Sequence, residues 1–161
     1  MTKSEIYEAV LADIAGHIAG QREEVSVLAN AAAILAAAFP DRFLWTGFYV
    51  VRDERLVLGP FQGPPACYAI RRGRGVCGTA WATGRAQVVP DVGQFPGHIA
   101  CSSLSRSEVV VPVWRRGADR TDPDAGVVAV LDVDSRHLAA FDDADRLYLE
   151  RLADLLTEAI Y

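Results

Sequence analysis

The chain has 161 residues, of which 51% are hydrophobic and 23% are charged. This length is about that of one domain, and the composition is ordinary for a globular protein, so intrinsic disorder and fibrous repeats are excluded. The 16 Lys and Arg residues and the 21 Asp and Glu residues give a formal net charge of -5, without any block of like charge. Because nucleic acids and anionic membranes attract basic surfaces, neither is an expected partner.

The compartment and the state of the thiols are predicted from the apolar runs and the cysteines. No apolar run approaches the roughly 18 residues that a membrane span needs, and the longest, at 31–39, ends at Pro40. Without a signal peptide we expect a cytoplasmic location, where thiols stay reduced unless they are being cycled. Cys67, Cys77 and Cys101 cannot all pair within one chain, so we expect buried, metal-binding or reactive thiols.

Two helices are predicted at the N-terminus. Ser4 precedes an apolar series at helical spacing, which predicts a capped amphipathic helix that ends between Gly16 and Gly20. Residues 23–39 form a second, alanine-rich helix that Pro40 stops. Its apolar positions cover more than one face. We therefore expect it to be buried against the body of the protein and against a further partner, such as a helix of a second subunit in a homodimer.

A sheet is predicted between these helices and a final one. Aromatic and β-branched residues at 43–51 predict a strand, which a turn at 52–55 returns into a second strand at 56–59. Further strands are predicted at 67–70, 88–89, 109–114 and 126–134, and a last helix with acidic residues in its first turn at 142–160.

The order of these elements predicts an α+β fold, because a continuous βαβ alternation is absent. The expected architecture is a central antiparallel sheet of about six strands, with the N- and C-terminal helices packed against it. Residues 1–161 are expected to form a single domain. Its parts are N-terminal helices at 1–40, the sheet with an inserted helix and loops at 43–134, and a C-terminal helix at 142–160.

Gly73, Gly75 and Gly78 fit the G-x-G-x-x-G pattern of dinucleotide-binding sites. That fingerprint follows the first strand of a doubly wound parallel sheet, whereas here it lies in the middle of a predicted antiparallel one. The pattern therefore indicates a tight turn and the start of a short helix at 76–83, which Gly84 ends.

Cys77 lies in the first turn of this short helix, where unpaired N–H groups and the helix dipole favour a thiolate. Three nearby arginines, Arg71, Arg72 and Arg74, are expected to lower the pKa of the thiol further. The alternative for each cysteine is inert packing, since free cysteines are among the most buried residues.

Cys101 lies in a long loop at 90–107, three residues after His98, and Cys67 opens a strand beside a Gly/Pro loop. Loops carry reactive groups more often than core strands do, because loops can approach a substrate. The spacings of 10 and 24 residues between the cysteines match no structural zinc pattern, and His98 is the only nearby nitrogen ligand. We therefore expect no metal.

Three carboxyl groups are predicted to converge near the Cys101 loop. Asp132 and Asp134 occupy alternate positions on one strand, so both point to one face, and Glu108 lies at the entry to the preceding strand. If these strands are neighbours, the clustered carboxyls raise at least one pKa, which supplies a proton donor, and the remaining charge attracts a cationic group. The alternative is solvated carboxylates at strand ends.

Trp45 and Tyr49 share one face of the first strand by the same alternation. An indole at this position would provide an aromatic wall for an apolar or onium-like group. Packing in the core is the alternative for both side chains.

A set of distinctive segments leads to a family resemblance. These segments are Leu58-Gly59-Pro60-Phe61-Gln62-Gly63, Ala66-Cys67, Gly73-Arg74-Gly75-Val76-Cys77-Gly78-Thr79-Ala80, Gly97-His98-Ile99-Ala100-Cys101, Ser107-Glu108 and Leu131-Asp132-Val133-Asp134-Ser135. With the spacing of the three cysteines, they closely resemble the free methionine-(R)-sulfoxide reductases, enzymes built on a GAF domain. The resemblance runs from about Trp45 to the C-terminal helix. It implies reduction of free methionine (R)-sulfoxide to methionine, with reducing equivalents from thioredoxin.

The resemblance also implies roles for the cysteines. Cys101 matches the cysteine that attacks the sulfoxide sulfur and becomes a sulfenic acid, and Cys67 matches the one that then forms a disulfide with it. Cys77 matches a third cysteine that assists, and the division of roles between the last two differs within the family. Chemistry of this kind calls for neither a metal nor an organic cofactor.

The same resemblance implies that Glu108, Asp132 and Asp134 bind the substrate and assist proton transfer to its oxygen, and that Trp45 packs on the substrate methyl group. Two departures from the family pattern stand out. The connection at 115–125 looks longer than usual and is expected to bulge into solvent. Ser102 stands where an acid is common, which is expected to weaken the orientation of the substrate.

The competing hypothesis is a GAF sensor module that holds a cyclic nucleotide or a tetrapyrrole without turnover. A tetrapyrrole needs one attachment cysteine, not three around an acidic pocket, and the acids would repel a cyclic nucleotide. We favour the enzyme, and we expect the loops at 59–67 and 90–107 to close over a free amino acid.

Overall fold

The computed structural model describes residues 1–99 and 101–161. In this part of the chain the strands are β1 (Trp45–Arg52), β2 (Arg55–Gln62), β3 (Ala69–Arg71), β4 (Gln87–Val89), β5 (Ser107–Trp114) and β6 (Val127–Ser135). The helices are α1 (Lys3–Ile18), α2 (Glu24–Ala38), α3 (Gly75–Thr83), α4 (Pro123–Gly126) and α5 (Asp143–Ile160). The strands form one antiparallel sheet in the order β3-β2-β1-β6-β5-β4. The predicted α+β class and the central six-stranded sheet are confirmed.

The start of α1 differs from the prediction. Thr2, and not Ser4, is the N-cap: its hydroxyl accepts a hydrogen bond from the backbone N–H of Glu5, and the Glu5 carboxylate accepts one from the backbone N–H of Thr2. This reciprocal pair satisfies two donors of the first turn, which a cap at Ser4 would leave unpaired. Ser4 therefore lies inside the helix.

Helix α2 lies within one residue of its predicted bounds at each end. Leu28 and Leu35 on its inner side are completely buried, whereas Val25 on its outer side is 67% exposed. The inner contact that the apolar pattern predicts is thus present. The second partner of this helix stays a prediction.

Helix α5 is joined to the N-terminal part of the chain by a buried carboxylate. Asp145 has no exposed surface, and it accepts a hydrogen bond from the Tyr7 hydroxyl at 2.7 Å. Its oxygens also lie 2.7 Å from a guanidinium nitrogen of Arg42 and 2.8 Å from Nζ of Lys3. Because a buried charge is tolerated only when it is paired, this cluster fixes α5 against α1 and the segment before β1.

The two faces of the sheet are covered by different elements. On one face, α1, α2 and α5 pack over strand residues such as Val109, Leu131 and Val133, which are completely buried. On the other face, α3 and the surrounding loops pack over residues such as Val110 and Val130. Because side chains alternate along each strand, neighbouring residues of β5 and β6 belong to different cores.

Several strand boundaries differ from the prediction in ways that affect the loops. β3 begins at Ala69, so Cys67 lies in the loop before it, and β2 continues to Gln62, so only 63–67 of the predicted loop at 59–67 lies outside the sheet. A 3₁₀ turn, Val92–Gln94, interrupts the loop at 90–107. In both places pairing with a neighbouring strand, which local sequence does not reveal, decides where the extended segment begins.

The connection at 115–125 is mostly exposed, as predicted, and it contains the start of the one-turn helix α4. None of the helices in the described part of the chain combines the length and the apolar character that a membrane crossing requires.

Candidate active site

The register of three adjacent strands brings separate parts of the sequence into rows across the sheet. Trp45 of β1 pairs with Asp134 of β6, which in turn pairs with Glu108 of β5. In the next row on the same face, Gly47 pairs with Asp132. β5 and β6 are therefore neighbours, which was the condition for the carboxyls to converge, and the three carboxyl groups lie on one face of the sheet.

Helix α3 covers this face and brings the first thiol to the carboxyls. Cys77 is buried, and its Sγ lies 4.0 Å from Oε1 of Glu108. Gly75, at the start of the helix, has φ of +62°, which favours glycine, and an added Cβ would lie 3.3 Å from the Ile99 side chain. Gly84 ends the helix in the left-handed conformation, as predicted.

The local features that favour a thiolate at Cys77 do not decide the pKa of this thiol. Burial, together with the charges of Asp132 and Glu108, raises the pKa of the Cys77 thiol well above its usual range. The arginines that were expected to lower this pKa, Arg71, Arg72 and Arg74, are all exposed to solvent, where their charges are screened. A helix N-terminus favours a thiolate only where burial and neighbouring acids do not oppose it.

The carboxyl groups are not solvated strand ends, which was the alternative interpretation. Glu108 and Asp132 are 6% and 5% exposed, and Asp134 is partly buried. Burial, with the charge of Asp132 as the next cause, raises the pKa of Glu108 and of Asp134 well above the usual range. Burial raises the pKa of Asp132 to about 6. Burial therefore favours the protonated form of Glu108 and of Asp134.

The polar contacts of the two aspartates differ. Asp134 Oδ1 accepts a hydrogen bond of 2.9 Å from the Ser105 hydroxyl, so the loop before β5 orients this carboxyl. Asp132 Oδ1 is buried and has no hydrogen-bond partner among the described residues. Ser105 is a residue that the sequence reasoning missed. Its proximity to Glu108 along the chain was the one available signal.

A disulfide connects the two loops at the rim of this site. Cys67 and Cys101 are bonded, with their Cα atoms 5.3 Å apart, and both residues are partly buried. The Tyr49 hydroxyl donates a hydrogen bond to the Cys67 carbonyl, and the Trp45 indole N–H donates one to the Pro64 carbonyl, each at 3.1 Å. The aromatic residues of β1 therefore hold the loop that carries Cys67.

Three aromatic side chains form one wall of the site. The Trp45 ring stacks on Tyr49 and on Phe61, with ring centroids 5.8 Å and 5.2 Å apart. Gly47 makes this possible, because a Cβ at that position would lie only 2.8 Å from Cη2 of Trp45. Phe61 is a further residue that the sequence reasoning did not single out, although it lies in one of the distinctive segments.

These groups surround a small cavity of about 50 Å³. Seven of the eight predicted site residues line it, and the eighth, Cys67, is bonded to one of them. The seven are Trp45, Tyr49, Cys77, Cys101, Glu108, Asp132 and Asp134.

Comparisons with known proteins identify the family of this chain. Residues 21–160 match the GAF domain family. GAF domain-containing protein A of Dictyostelium discoideum is 49% identical over 156 residues, which cover 96% of this chain and 92% of the relative. Free methionine-R-sulfoxide reductase of Saccharomyces cerevisiae is 39% identical over 165 residues, which cover 99% of this chain and 88% of the relative.

A solved structure gives a comparison of shape. The X-ray structure of free methionine-R-sulfoxide reductase from Neisseria meningitidis, in complex with its substrate, superimposes with a TM-score of 0.89 and is 48% identical. The match covers 99% of this chain and 90% of that one. The predicted resemblance is confirmed: the chain belongs to the GAF domain family and, within it, to the free methionine-R-sulfoxide reductases.

Proposed function

We propose that this chain is an oxidoreductase that reduces free methionine (R)-sulfoxide to methionine by thiol and disulfide chemistry, with thioredoxin as the reductant. The observation that carries the proposal is the disulfide between Cys67 and Cys101, placed at the rim of a cavity with three carboxyls at its base. The named relatives in yeast and Neisseria meningitidis, the latter bound to its substrate, support the choice of substrate.

The thiols act in sequence in this proposal. In the reduced protein, the Cys101 thiolate attacks the sulfoxide sulfur. The S–O bond of the substrate then breaks, the oxygen is transferred with one added proton to Cys101, which becomes a sulfenic acid, and methionine leaves. The Cys67 thiol then attacks the sulfenic sulfur, and a disulfide and one water molecule form. A thioredoxin dithiol attacks this disulfide and becomes oxidised, which returns both thiols.

The carboxyls supply the protons that this reaction consumes. A sulfoxide oxygen cannot be lost from sulfur without protonation, and a general acid near neutral pKa is the most effective donor. Burial raises the pKa values of Glu108 and Asp134, which favours the protonated form that a proton donor needs. Asp132, with a pKa of about 6, is largely ionised at neutral pH and provides negative charge for the ammonium group of a free amino acid.

The aromatic wall supplies the apolar part of the recognition. In this proposal Trp45 packs on the methyl group of the substrate, and Tyr49 lies beside it and holds the Cys67 loop. Cys77 serves as an assisting thiol and not as the first nucleophile, because its raised pKa leaves little thiolate at neutral pH.

A sensor module is the second candidate, and the charge of the site argues against it. The phosphate of a cyclic nucleotide would be placed against Glu108, Asp132 and Asp134. A tetrapyrrole needs a free cysteine that it can reach, whereas Cys77, the free cysteine among the described residues, is buried. The whole chain acts as one GAF domain in this proposal. It works in the cytoplasm, where thioredoxin returns the disulfide to thiols.

The test is an assay with the separate R and S isomers of free methionine sulfoxide, with thioredoxin as the reductant. We expect turnover of the R isomer alone, and loss of turnover in Cys101→Ser. A peptide that contains methionine sulfoxide should not be reduced, because its backbone lacks the free ammonium. Equal rates on both isomers, or unchanged turnover in Cys101→Ser, would contradict the proposal.

A further inference from the structure

Cys77, Glu108 and Asp132 form a cluster with the dimensions of a metal site. One oxygen of each carboxyl and Sγ of Cys77 lie within 4.8 Å of one another, and all three residues are buried. In a tetrahedral zinc site, sulfur and oxygen ligands at about 2.3 and 2.0 Å from the metal are separated by roughly 3.5 Å. The observed distance of 4.0 Å between Sγ and Glu108 Oε1 is close to that separation.

A second observation points to a cationic ligand at the same place. Asp132 is 95% buried, it lines the cavity, and its Oδ1 has no hydrogen-bond partner in the described part of the chain. None of the ion pairs formed by described residues includes Glu108, Asp132 or Asp134. A buried carboxylate oxygen without a partner is costly, and a bound cation removes that cost.

We propose that the reduced protein binds one thiophilic divalent cation, Zn²⁺ or Cd²⁺, through Cys77, Glu108 and Asp132, and that the bound cation excludes the sulfoxide. One thiolate and two carboxylates suit Zn²⁺ and Cd²⁺, whereas Mg²⁺ and Ca²⁺ require shells of oxygen. On binding, the S–H bond of Cys77 and the O–H bond of a protonated Glu108 break, bonds from sulfur and from the carboxylate oxygens to the metal form, and the protons pass to solvent.

The site differs from a structural zinc site in its origin and in its coordination. Its ligands come from α3, β5 and β6, so the spacing of the cysteines along the chain, which predicts no structural zinc motif, does not bear on it. Three protein ligands leave a fourth position open toward the cavity, which is typical of accessible metal sites and not of structural ones. Because the proposed reaction uses no metal, the cation in this proposal is an inhibitor and not a cofactor.

The inhibitory part rests on the proposed function, because it assumes that the substrate occupies the same cavity. The binding part stands on the geometry alone. The two can be separated with the variant Cys67→Ser/Cys101→Ser, which cannot turn over and keeps Cys77 as the one remaining thiol.

The binding experiment titrates this double variant with Co²⁺ as a spectroscopic substitute for Zn²⁺. We expect one Co²⁺ per chain and a near-ultraviolet charge-transfer band from thiolate to cobalt, which an equivalent of Zn²⁺ removes. Adding Cys77→Ser should abolish the band. No thiolate band in the double variant, or a band that persists without Cys77, would overturn the proposal.

Variants of the carboxyl ligands locate the other donors. In the same background, Glu108→Gln and Asp132→Asn should each weaken Co²⁺ binding by at least about tenfold, the lower end of what even the loss of an outer contact costs. Asp119→Asn, which removes an exposed acid in the 115–125 connection, should leave binding unchanged. Far-ultraviolet circular dichroism confirms that each variant is folded. Equal binding in all three variants would exclude the carboxyls as ligands.

The inhibitory part is tested in a single turnover without added thiols, which would bind the metal. Pre-reduced wild-type protein should form methionine from the free R sulfoxide, one equivalent of Zn²⁺ should suppress this, and EDTA should restore it. Unchanged methionine formation with Zn²⁺ bound would overturn the competition. If metal-free protein forms no methionine, the proposed function fails, while the cobalt result still decides the metal site.

Discussion

The two faces of the central sheet differ in what their buried side chains contribute. Val109, Leu131 and Val133 point toward α1, α2 and α5 and are fully buried among apolar neighbours. Glu108 and Asp132, one position away on the same strands, point toward α3 and carry pKa values raised by burial. The first face therefore stabilises the fold, and the second places costly groups where a reaction can use them.

The largest effect is expected from a substitution on the carboxyl face of the sheet, and it is an effect on catalysis. Glu108→Gln keeps the size of the side chain and removes the acidic proton, so we expect turnover to fall by roughly 10²- to 10⁴-fold. The free energy of unfolding should not decrease, because a carboxyl that is costly to bury is lost. Steady-state kinetics and urea unfolding measure both quantities, with Asp119→Asn as the control. Wild-type turnover in Glu108→Gln would contradict the assignment.

On the opposite face the expected effect is on stability. Leu131→Ala leaves a cavity under α5 and α2, and we expect a loss of about 2 to 5 kcal/mol in the free energy of unfolding. The turnover of the remaining folded protein should stay close to that of the wild type, since Leu131 does not line the site. A loss of stability below about 1 kcal/mol would show that this core tolerates cavities better than such sites usually do.

The pH dependence of the free energy of unfolding tests the face of the sheet that carries the carboxyls. Because Asp132 has a usual pKa of 3.8 and a pKa of about 6 in the folded protein, the folded state binds more protons between these values. The contribution of Asp132 to the free energy of unfolding is most favourable below pH 4. It decreases by on the order of 1 to 3 kcal/mol as the pH rises to about 6.

Asp132→Asn should therefore reduce this decline and be more stable than the wild type at pH 7. Thermal unfolding between pH 3.5 and 8 measures the effect, and Asp41→Asn, which removes an exposed acid in the segment before β1, should retain the wild-type profile. A wild-type profile in Asp132→Asn would place the responsible group elsewhere.

The smallest effects on stability are expected from substitutions at two glycines, one on each face of the comparison. An added Cβ at Gly47 would collide with Trp45, so Gly47→Ala should cost about 1 to 3 kcal/mol of stability and raise KM for the sulfoxide. Gly16 in α1 has open space around it, so Gly16→Ala should stabilise the protein by about 0.5 to 1 kcal/mol through its helix propensity. Equal changes at both positions would argue against a specific role of Gly47 in seating Trp45.

Features that depend on local sequence were predictable. The hairpin of β1 and β2, the acidic start of α5 and the Gly84 helix end follow from residue pattern and turn chemistry, and the structure has each of them. The helix cap at Thr2 was also present in the sequence, as a Thr followed three residues later by Glu5. The prediction of a cap at Ser4 did not take the pair of Thr2 and Glu5 into account.

Features that depend on tertiary packing were not predictable. The local helix geometry around Cys77 favours a thiolate, but its pKa is decided by burial against carboxyls from two strands that lie far away in sequence. The pairing of Cys67 with Cys101 came from the family resemblance, since three cysteines in a sequence do not reveal which two meet. The roles of Ser105 and Phe61 likewise depend on which segments the sheet brings together.

The most direct test of the proposed reaction is a stoichiometric one. Fully reduced protein is mixed with excess free methionine (R)-sulfoxide in the absence of any other reductant, quenched with an alkylating reagent and mapped by mass spectrometry. We predict one methionine formed per chain, a disulfide between Cys67 and Cys101, and alkylation at Cys77. Absence of methionine, or a disulfide that includes Cys77 in place of Cys101, would contradict the account.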